Sequence, residues 1–161
     1  MKMKSVLSLV VTILLLGTMN LTSVWAGDKV LNLESALKLI KAAQEKAVDI
    51  NVPMVVTVVD KGGNLIAQQR MDDALLVSLE VSLNKAYSAI ALKLPTDTLG
   101  ELSQPGAMLY GLQNASKMIV FGGGIPLKVG NKFVGAIGVS GGSVAEDTQC
   151  AKAGLTAWEA M

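Results

Sequence analysis

The sequence predicts an α+β fold with a mainly antiparallel, five-stranded sheet covered by helices on both faces. The predicted elements run helix, two strands, helices, three strands and a final helix. Most links between the strands are short, which favours antiparallel pairing. The first strand, Met54–Val59, is apolar on both faces and is therefore expected at the centre of the sheet. This order indicates an α/β/α sandwich and not a doubly wound nucleotide-binding fold.

The first half of the domain combines a helix with a β-hairpin. Asn32 is a suitable N-cap for a helix over residues 33–49, which carries apolar residues on one side. The strand Met54–Val59 and the strand Leu65–Arg70 flank a turn at Asp60–Asn64, so the pattern predicts a hairpin.

A long apolar helix is predicted from Ala74 to Leu94, ended by Pro95. Its apolar residues form two stripes and leave only a few polar positions, such as Ser78, Ser82 and Lys85. A helix that is apolar nearly all round is buried on more than one side. We therefore expect it to form a subunit interface as well as part of the core.

The second half is predicted to hold a short helix, three strands and the last helix. Thr96 or Asp97 caps a helix that ends near Leu102. The strands are expected over residues 118–121, 125–129 and 133–140. Ser143 and Glu146 have the spacing of a capping box, which starts the final helix.

The N-terminus has the pattern of a signal peptide over residues 1–26. Lys2 and Lys4 precede an apolar run, and Val24-Trp25-Ala26 resembles a cleavage site. Cleavage near Ala26 leaves a single domain over residues 27–161, exported to the periplasm or the medium. The 14 basic and 13 acidic residues of the whole chain nearly balance, and no basic patch is visible. Nucleic acid is therefore not expected as a partner.

The glycine-rich stretch from Phe121 to Gly142 contains Gly138-Val139-Ser140-Gly141-Gly142, which has the G-x-S-x-G pattern of serine hydrolases. A nucleophilic serine needs a base within hydrogen-bond reach. The chain contains no histidine, the usual base. We therefore interpret these glycines as residues of a strand pair and a helix start.

Four segments together resemble a known family. They are VVTVVDKGGNLIAQQRMDDA, NKAYSAIAL, SQPGAMLYGL and the stretch from Phe121 to Trp158. In this order they are similar to the GlcG/HbpS-like haem-binding proteins, which also occur as the C-terminal domain of PduO-type proteins. The resemblance implies helices on both faces of an antiparallel sheet with profilin-like layering, homo-oligomers and haem as the cofactor.

The same resemblance leads to candidate haem contacts. Without histidine, the iron ligand would come from tyrosine, methionine or cysteine, or more weakly from lysine or threonine. Tyr110 is our candidate axial ligand, with Tyr87, Met71, Met108 and Cys150 as the other choices. Arg70 and Lys85 are candidates for the propionates. Bare backbone at Gly122, Gly123 and Gly124 offers a wall for a flat ligand.

Each candidate also has a structural interpretation. Arg70 can pair with Asp72 and Asp73, and Lys85 can extend out of an interface. Side chains that can instead serve packing are Tyr87, Met108, Tyr110 and Cys150. Gly122–Gly124 can form a β-bulge.

Three functions remain open. The first is a secreted or periplasmic haem- or tetrapyrrole-binding protein that captures or senses haem. The second is an enzyme or binding protein for a small oxidised metabolite. The third is an oligomeric sensor subunit that docks on a membrane receptor.

Overall fold

The computed structural model describes residues 29–161. The predicted signal peptide and its cleavage site lie outside the described residues. Within residues 29–161, no helix is both long enough and apolar enough to cross a bilayer.

The described chain folds into four α-helices, one short 3₁₀ helix and four strands. In chain order these are α1 (Leu33–Asp49), β1 (Val55–Asp60), β2 (Leu65–Arg70), α2 (Ser78–Leu92), α3 (Thr96–Leu102), the 3₁₀ turn Leu112–Asn114, β3 (Gly124–Val129), β4 (Lys132–Ser140) and α4 (Val144–Glu159). The predicted α+β class is confirmed.

The four strands form one antiparallel sheet in the order β2-β1-β4-β3. Strand β1 lies between two neighbours, as its apolar character on both faces predicts. Alternate β1 residues serve two cores: Val58 packs in the core with α1 and α4, while Val59 packs with residues of α2. The helices therefore cover opposite faces of the sheet, and the profilin-like layering stays a prediction.

The prediction of five strands is wrong for the described chain, because residues 118–121 do not join the sheet. The amide of Ile119 donates to Ser88 Oγ of α2 at 2.8 Å, so a helix side chain replaces a ladder partner. Gly123 then turns the chain with φ +116°. Its carbonyl accepts from the amide of Val139 at 2.8 Å, and β3 begins at the next residue.

Helix α2 faces the sheet mainly with small and polar side chains, while Leu83 of its main apolar stripe is only partly buried and Ile90 is buried. Its buried positions are mostly small or polar: Ser78, Ser82, Lys85, Ala86, Ser88, Ala89 and Ile90. Close approach explains this orientation, because a Cβ atom at Gly138 of β4 would collide with the carbonyl of Ser82 and lie 2.6 Å from the amide of Ala86. Only small side chains fit between backbones at that separation. The large side chains of Leu75, Leu76 and Val77, just before α2, are exposed instead.

Helix α4 is anchored at both ends. Ser143 and Glu146 form the predicted capping box, which is confirmed. At the other end the Trp158 ring is buried, and its indole Nε1 donates to the carbonyl of Lys128 at 2.8 Å. Lys29 Nζ lies 4.3 Å from the ring centroid of Trp158. The start of α4 is thus fixed by its capping box just after β4, and its end is held to β3 by the bond from Trp158 to Lys128.

Candidate functional site

A buried ion pair lies where α2, α4 and the glycine segment meet. Lys85 Nζ donates to Asp147 Oδ2 at 2.6 Å and to the carbonyl of Val139 at 3.0 Å. The Lys85 side chain is fully buried and that of Asp147 nearly so. Asp147 Oδ1 accepts from the amide of Gly142 at 3.0 Å. Both charges are therefore compensated inside the protein, as burial of charge requires.

The Lys85 ammonium also faces an aromatic ring. Its Nζ lies 4.8 Å from the ring centroid of Phe121, whose side chain is 42% exposed. Burial lowers the pKa of Lys85, and the contact with Asp147 opposes this shift. Lys85 neither extends into solvent nor presents a free cation on the surface.

The three glycines after Phe121 are packed against the protein. A Cβ atom at Gly122 would collide with Thr148 Oγ1, and one at Gly123 would lie 2.8 Å from Lys85 Nζ. At Gly124 it would collide with the carbonyl of Lys85. These side-chain positions are therefore filled by α2 and α4. The role of this segment as a wall for a flat ligand stays a prediction.

An open groove of about 550 Å³ runs beside this centre, along the exposed side of α4. Its lining residues are Val144, Ala145, Thr148, Gln149 and Lys152. Val144 is 47% exposed, and its Cγ1 would lie 3.1 Å from a Cβ at Gly122. The groove has one positive charge and no acidic lining residue. We call it the α4 groove.

Arg70 and Met71 line a different groove, of about 480 Å³, with Gln44, Val48 and Asp72. Arg70 donates through Nε and Nη2 to the carbonyl of Ala74 at 2.9 and 2.6 Å. Met71 Sδ accepts from the amide of Met54 at 3.4 Å. Among the ion pairs of residues 29–161, none joins Arg70 to Asp72 or Asp73. Arg70 and its sequence neighbour Met71 thus line the same groove.

Tyr110 and Met108 lie on the segment between α3 and β3 and are 66% and 81% exposed. Packing does not account for them, since both side chains face solvent. The two ends of this segment meet where Gly100 of α3 packs against the carbonyl of Val120. Residue 120 leads directly to Phe121 and Gly122, so the segment rejoins the fold beside the α4 groove.

The remaining candidates are placed in or near the cores. Ser140 is buried at the end of β4 and donates from Oγ to Ser78 Oγ at 3.1 Å, so it belongs to a structural contact. Tyr87 is half-buried, with Lys117 Nζ 5.4 Å from its ring centroid. Cys150 is fully buried. Burial, and secondarily the charge of Asp147, raises the pKa of its thiol to about 11.

Within residues 29–161, no cluster of three or more histidine, cysteine, aspartate or glutamate side chains could hold a metal ion. The predicted axial ligand Tyr110 and the two predicted cations are not brought into one site by any contact among the described residues.

Sequence reasoning missed Asp147, Phe121 and Lys152. Asp147 had a detectable signal: a lysine in an apolar helix needs an acidic partner, and Asp147 follows the capping box directly. The only sequence signal for Phe121 was its position directly before the three glycines. Lys152 looks like an ordinary helix-surface residue, and only the shape of the α4 groove distinguishes it.

The chain is similar to three known proteins over most of its length. It is 47% identical over 127 residues to an uncharacterised 15.0 kDa protein of Citrobacter freundii from the dhaT–dhaS intergenic region, covering 78% of this chain and 89% of that one. The crystal structure of Klebsiella pneumoniae protein ORFY superposes with a TM-score of 0.79 at 43% identity, over 81% of this chain and 92% of that chain. The crystal structure of a PduOC:heme complex has a TM-score of 0.77 at 41% identity, over 80% and 94%.

A family match covers most of the described residues. Residues 31–156 match the family described as "Haem degrading protein HbpS-like". This confirms the resemblance that the four sequence segments indicated. The chain belongs to the HbpS-like family.

Proposed function

We propose that this protein binds haem or a related tetrapyrrole. The observation that carries the proposal is the 41% identity, over nearly the whole domain, to a protein whose crystal structure is a haem complex. Membership of the HbpS-like family of haem degrading proteins supports the same ligand. Two grooves have volumes in the usual range for ligand sites, the α4 groove of about 550 Å³ and the groove at Arg70 of about 480 Å³.

Tyr110 is the proposed iron ligand. A tyrosine oxygen is one of the protein ligands that haem iron accepts. The exposed phenol of Tyr110 is open to an approaching porphyrin, whereas Tyr87 is half-buried. Cys150 is a poor choice because its buried thiol has a raised pKa, and iron binds the thiolate.

Arg70 and Lys85 differ as partners for the haem propionates. Two of the five guanidinium N–H groups of Arg70 are engaged with Ala74, which leaves donors for a carboxylate. Lys85 is already neutralised by Asp147 at 2.6 Å. We therefore favour Arg70 over Lys85 among the two predicted cations.

The binding test is a titration of the purified protein with haemin, followed by the Soret band. We expect saturable binding at one haem per chain. Replacement of Tyr110 by phenylalanine should change the ligand-dependent spectrum, and Tyr87→Phe is the matched control. A wild-type protein that leaves the haemin spectrum unchanged would exclude this function.

We further propose that the protein is exported and acts in haem capture or haem sensing outside the cytoplasm. The motivation is the signal-peptide pattern of residues 1–26. Expression of the whole chain in a Gram-negative host, with fractionation and N-terminal sequencing, tests it. The expected product is periplasmic and begins near Gly27. A cytoplasmic product that keeps Met1 would contradict export.

A homo-oligomer is part of the same proposal, with a membrane sensor as a further partner. Leu75, Leu76 and Val77 are 58%, 75% and 62% exposed, and three consecutive exposed apolar residues are unusual on a free surface. Light scattering of the wild type should give a mass above that of one chain. Leu76→Glu should reduce this mass, while Leu33→Glu, at another exposed leucine, should not.

A further inference from the structure

We propose that two copies of this protein pair through the open edge of strand β2, antiparallel to each other and with Gln69 at the two-fold axis. The two four-stranded sheets then join into one continuous sheet. This inference rests on the homo-oligomer of the proposed function and names its interface. The partner is a second copy of this chain, held by backbone hydrogen bonds between the two β2 strands.

The register of β1 and β2 decides which backbone groups of β2 point outward. The amide of Met71 donates to the carbonyl of Met54 at 3.0 Å, so these two residues form a hydrogen-bonded pair. Such pairs alternate along an antiparallel ladder, and Gln69 therefore also bonds to β1. The N–H and C=O groups of Gln68 and Arg70 then point away from β1. Within residues 29–161, no other residue bonds to these outward groups.

The opposite edge of the sheet, strand β3, is blocked along its length. The amide of Gly124 donates to Thr96 Oγ1 at 2.8 Å, and Pro126 has no N–H group. The carbonyl of Lys128 accepts from the indole of Trp158 at 2.8 Å. Strand β2 contains neither proline nor lysine, the residues that commonly protect an edge. Of the two edges, β2 is the one left open to another strand.

The side chains of Gln68 and Arg70 hold β2 in place within its own subunit. Gln68 Nε2 donates to Thr57 Oγ1 and to the carbonyl of Leu79, both at 2.8 Å. Arg70 donates to the carbonyl of Ala74. The strand is thus fixed in its extended form before a second copy arrives, which lowers the entropic cost of pairing.

Antiparallel pairing about Gln69 uses both outward residues. Gln68 of each copy lies opposite Arg70 of the other, which gives one hydrogen-bonded pair on either side of the axis. Arg70 is the only charged residue of β2, and in this register it faces an uncharged glutamine. Parallel pairing about a two-fold axis would instead place Arg70 beside Arg70, an unfavourable contact of like charges.

Exposed apolar residues lie at both ends of β2. Leu65, at the start of the strand, is 54% exposed and lies opposite Val59, which packs in the core with α2. At the other end Arg70 binds Ala74, and the exposed apolar residues 75–77 follow directly. Antiparallel pairing brings the Leu65 end of one copy next to residues 75–77 of the other. Apolar surface is therefore buried at both ends of the interface.

The first test is a disulfide across the axis. Residues of a non-hydrogen-bonded antiparallel pair have Cα atoms about 4.5 Å apart, within the range of a disulfide. Gln69→Cys should therefore cross-link two copies under mild oxidation, seen by non-reducing electrophoresis. Gln149→Cys, at an exposed glutamine of α4, is the matched control and should stay largely uncross-linked. Both variants keep Cys150, which is fully buried.

The second test removes one outward N–H group. Proline is tolerated on an edge strand where the N–H faces outward, so Arg70→Pro should fold but lose a hydrogen bond to the second copy. Arg70→Ala loses the same side chain and keeps the N–H, which makes it the control. We expect the dissociation constant of the pair, measured by analytical ultracentrifugation, to be about tenfold higher for Arg70→Pro than for Arg70→Ala.

Failure of this interface can be told apart from failure of the proposed function. If the wild type is an oligomer and Gln69→Cys keeps that mass without cross-linking, pairing through β2 is overturned while the oligomer stands. Equal dissociation constants for the two Arg70 variants would also overturn it. A monomeric wild type overturns both the oligomer and its interface. Slow hydrogen exchange of the Gln68 and Arg70 amides in a monomer would mean that the chain covers its own edge. Haemin titration decides haem binding independently of all these outcomes.

Discussion

Lys85 of α2 and Asp147 of α4 form an ion pair with a 2.6 Å separation between Nζ and Oδ2, at the end of the sheet that their helices flank. Two helices that cover opposite faces of the sheet are thereby joined directly. The same lysine donates to the carbonyl of Val139, so the pair also fixes the end of β4. The glycine segment closes over it, with Gly123 in contact with the ammonium group.

Removing one partner of this pair should strongly destabilise the protein. Lys85→Met leaves the Asp147 carboxylate buried without its cation, and such changes cost about 3–5 kcal/mol. The free energy of unfolding in urea measures the loss. The double variant Lys85→Met with Asp147→Leu should recover much of it, since no unpaired charge remains. A single variant within about 1 kcal/mol of the wild type would contradict this account.

The close packing of α2 on β4 predicts that Gly138→Ala is costly. The added methyl group would collide with the carbonyl of Ser82 and lie 3.0 Å from Ala86 Cβ, and overpacking of this kind costs about 1–3 kcal/mol. Thermal unfolding should show the loss. Gly62→Ala is the control, because its nearest neighbour at 2.9 Å is the end of the flexible Asn64 side chain on the surface. Equal losses in the two variants would refute the explanation.

The capping box of α4 predicts a contribution to stability that depends on pH. Ser143→Ala should cost about 1 kcal/mol at neutral pH. The Ser143 amide donates to Glu146 Oε2 at 2.7 Å, which lowers the pKa of Glu146. The stabilisation by Glu146 is therefore fully present at a pH above the pKa of Glu146 in the unfolded chain. It is lost as the pH falls through the lower pKa of Glu146 in the folded protein. Glu146→Gln should flatten this acid dependence in denaturation curves, and an unchanged acid limb would count against it.

The buried thiol of Cys150 predicts slow chemistry and an alkaline effect. Burial raises its pKa from 9.0 to about 11, so iodoacetamide at pH 8 should modify the native protein far more slowly than the protein in urea. Between pH 9 and 11 the unfolded chain releases this proton first, which favours unfolding as the pH rises. Cys150→Ala should lack that dependence. Rapid alkylation of native protein would show that the thiol is accessible.

Local signals predicted the elements that depend on local chemistry. The cap at Asn32, the turn at Asp60–Asn64 and the capping box at Ser143 all place their helices or strands correctly. In each case the hydrogen bonds that decide the structure lie within a few residues of one another.

Tertiary packing decided what the sequence pattern could not. Periodicity predicts that Leu79 and Leu83 are buried, yet both are only half-buried, because Gly138 leaves room only for small residues such as Ala86 against β4. The sequence of residues 118–121 predicts a strand, but the amide of Ile119 donates its hydrogen bond to Ser88 Oγ and not to a neighbouring strand. The partner of Lys85, 62 positions away at Asp147, is fixed only when α2 and α4 reach the same end of the sheet.

Trp158 gives the molecule a built-in optical probe. The sequence contains two tryptophans, and Trp25 lies in the predicted signal peptide. Fluorescence of the processed protein would then come from one buried indole at the C-terminal end of α4, bonded to Lys128 and next to the Lys29 ammonium. Emission would therefore report undocking of this helix end. Energy transfer to a bound porphyrin would give a distance from the same fixed point.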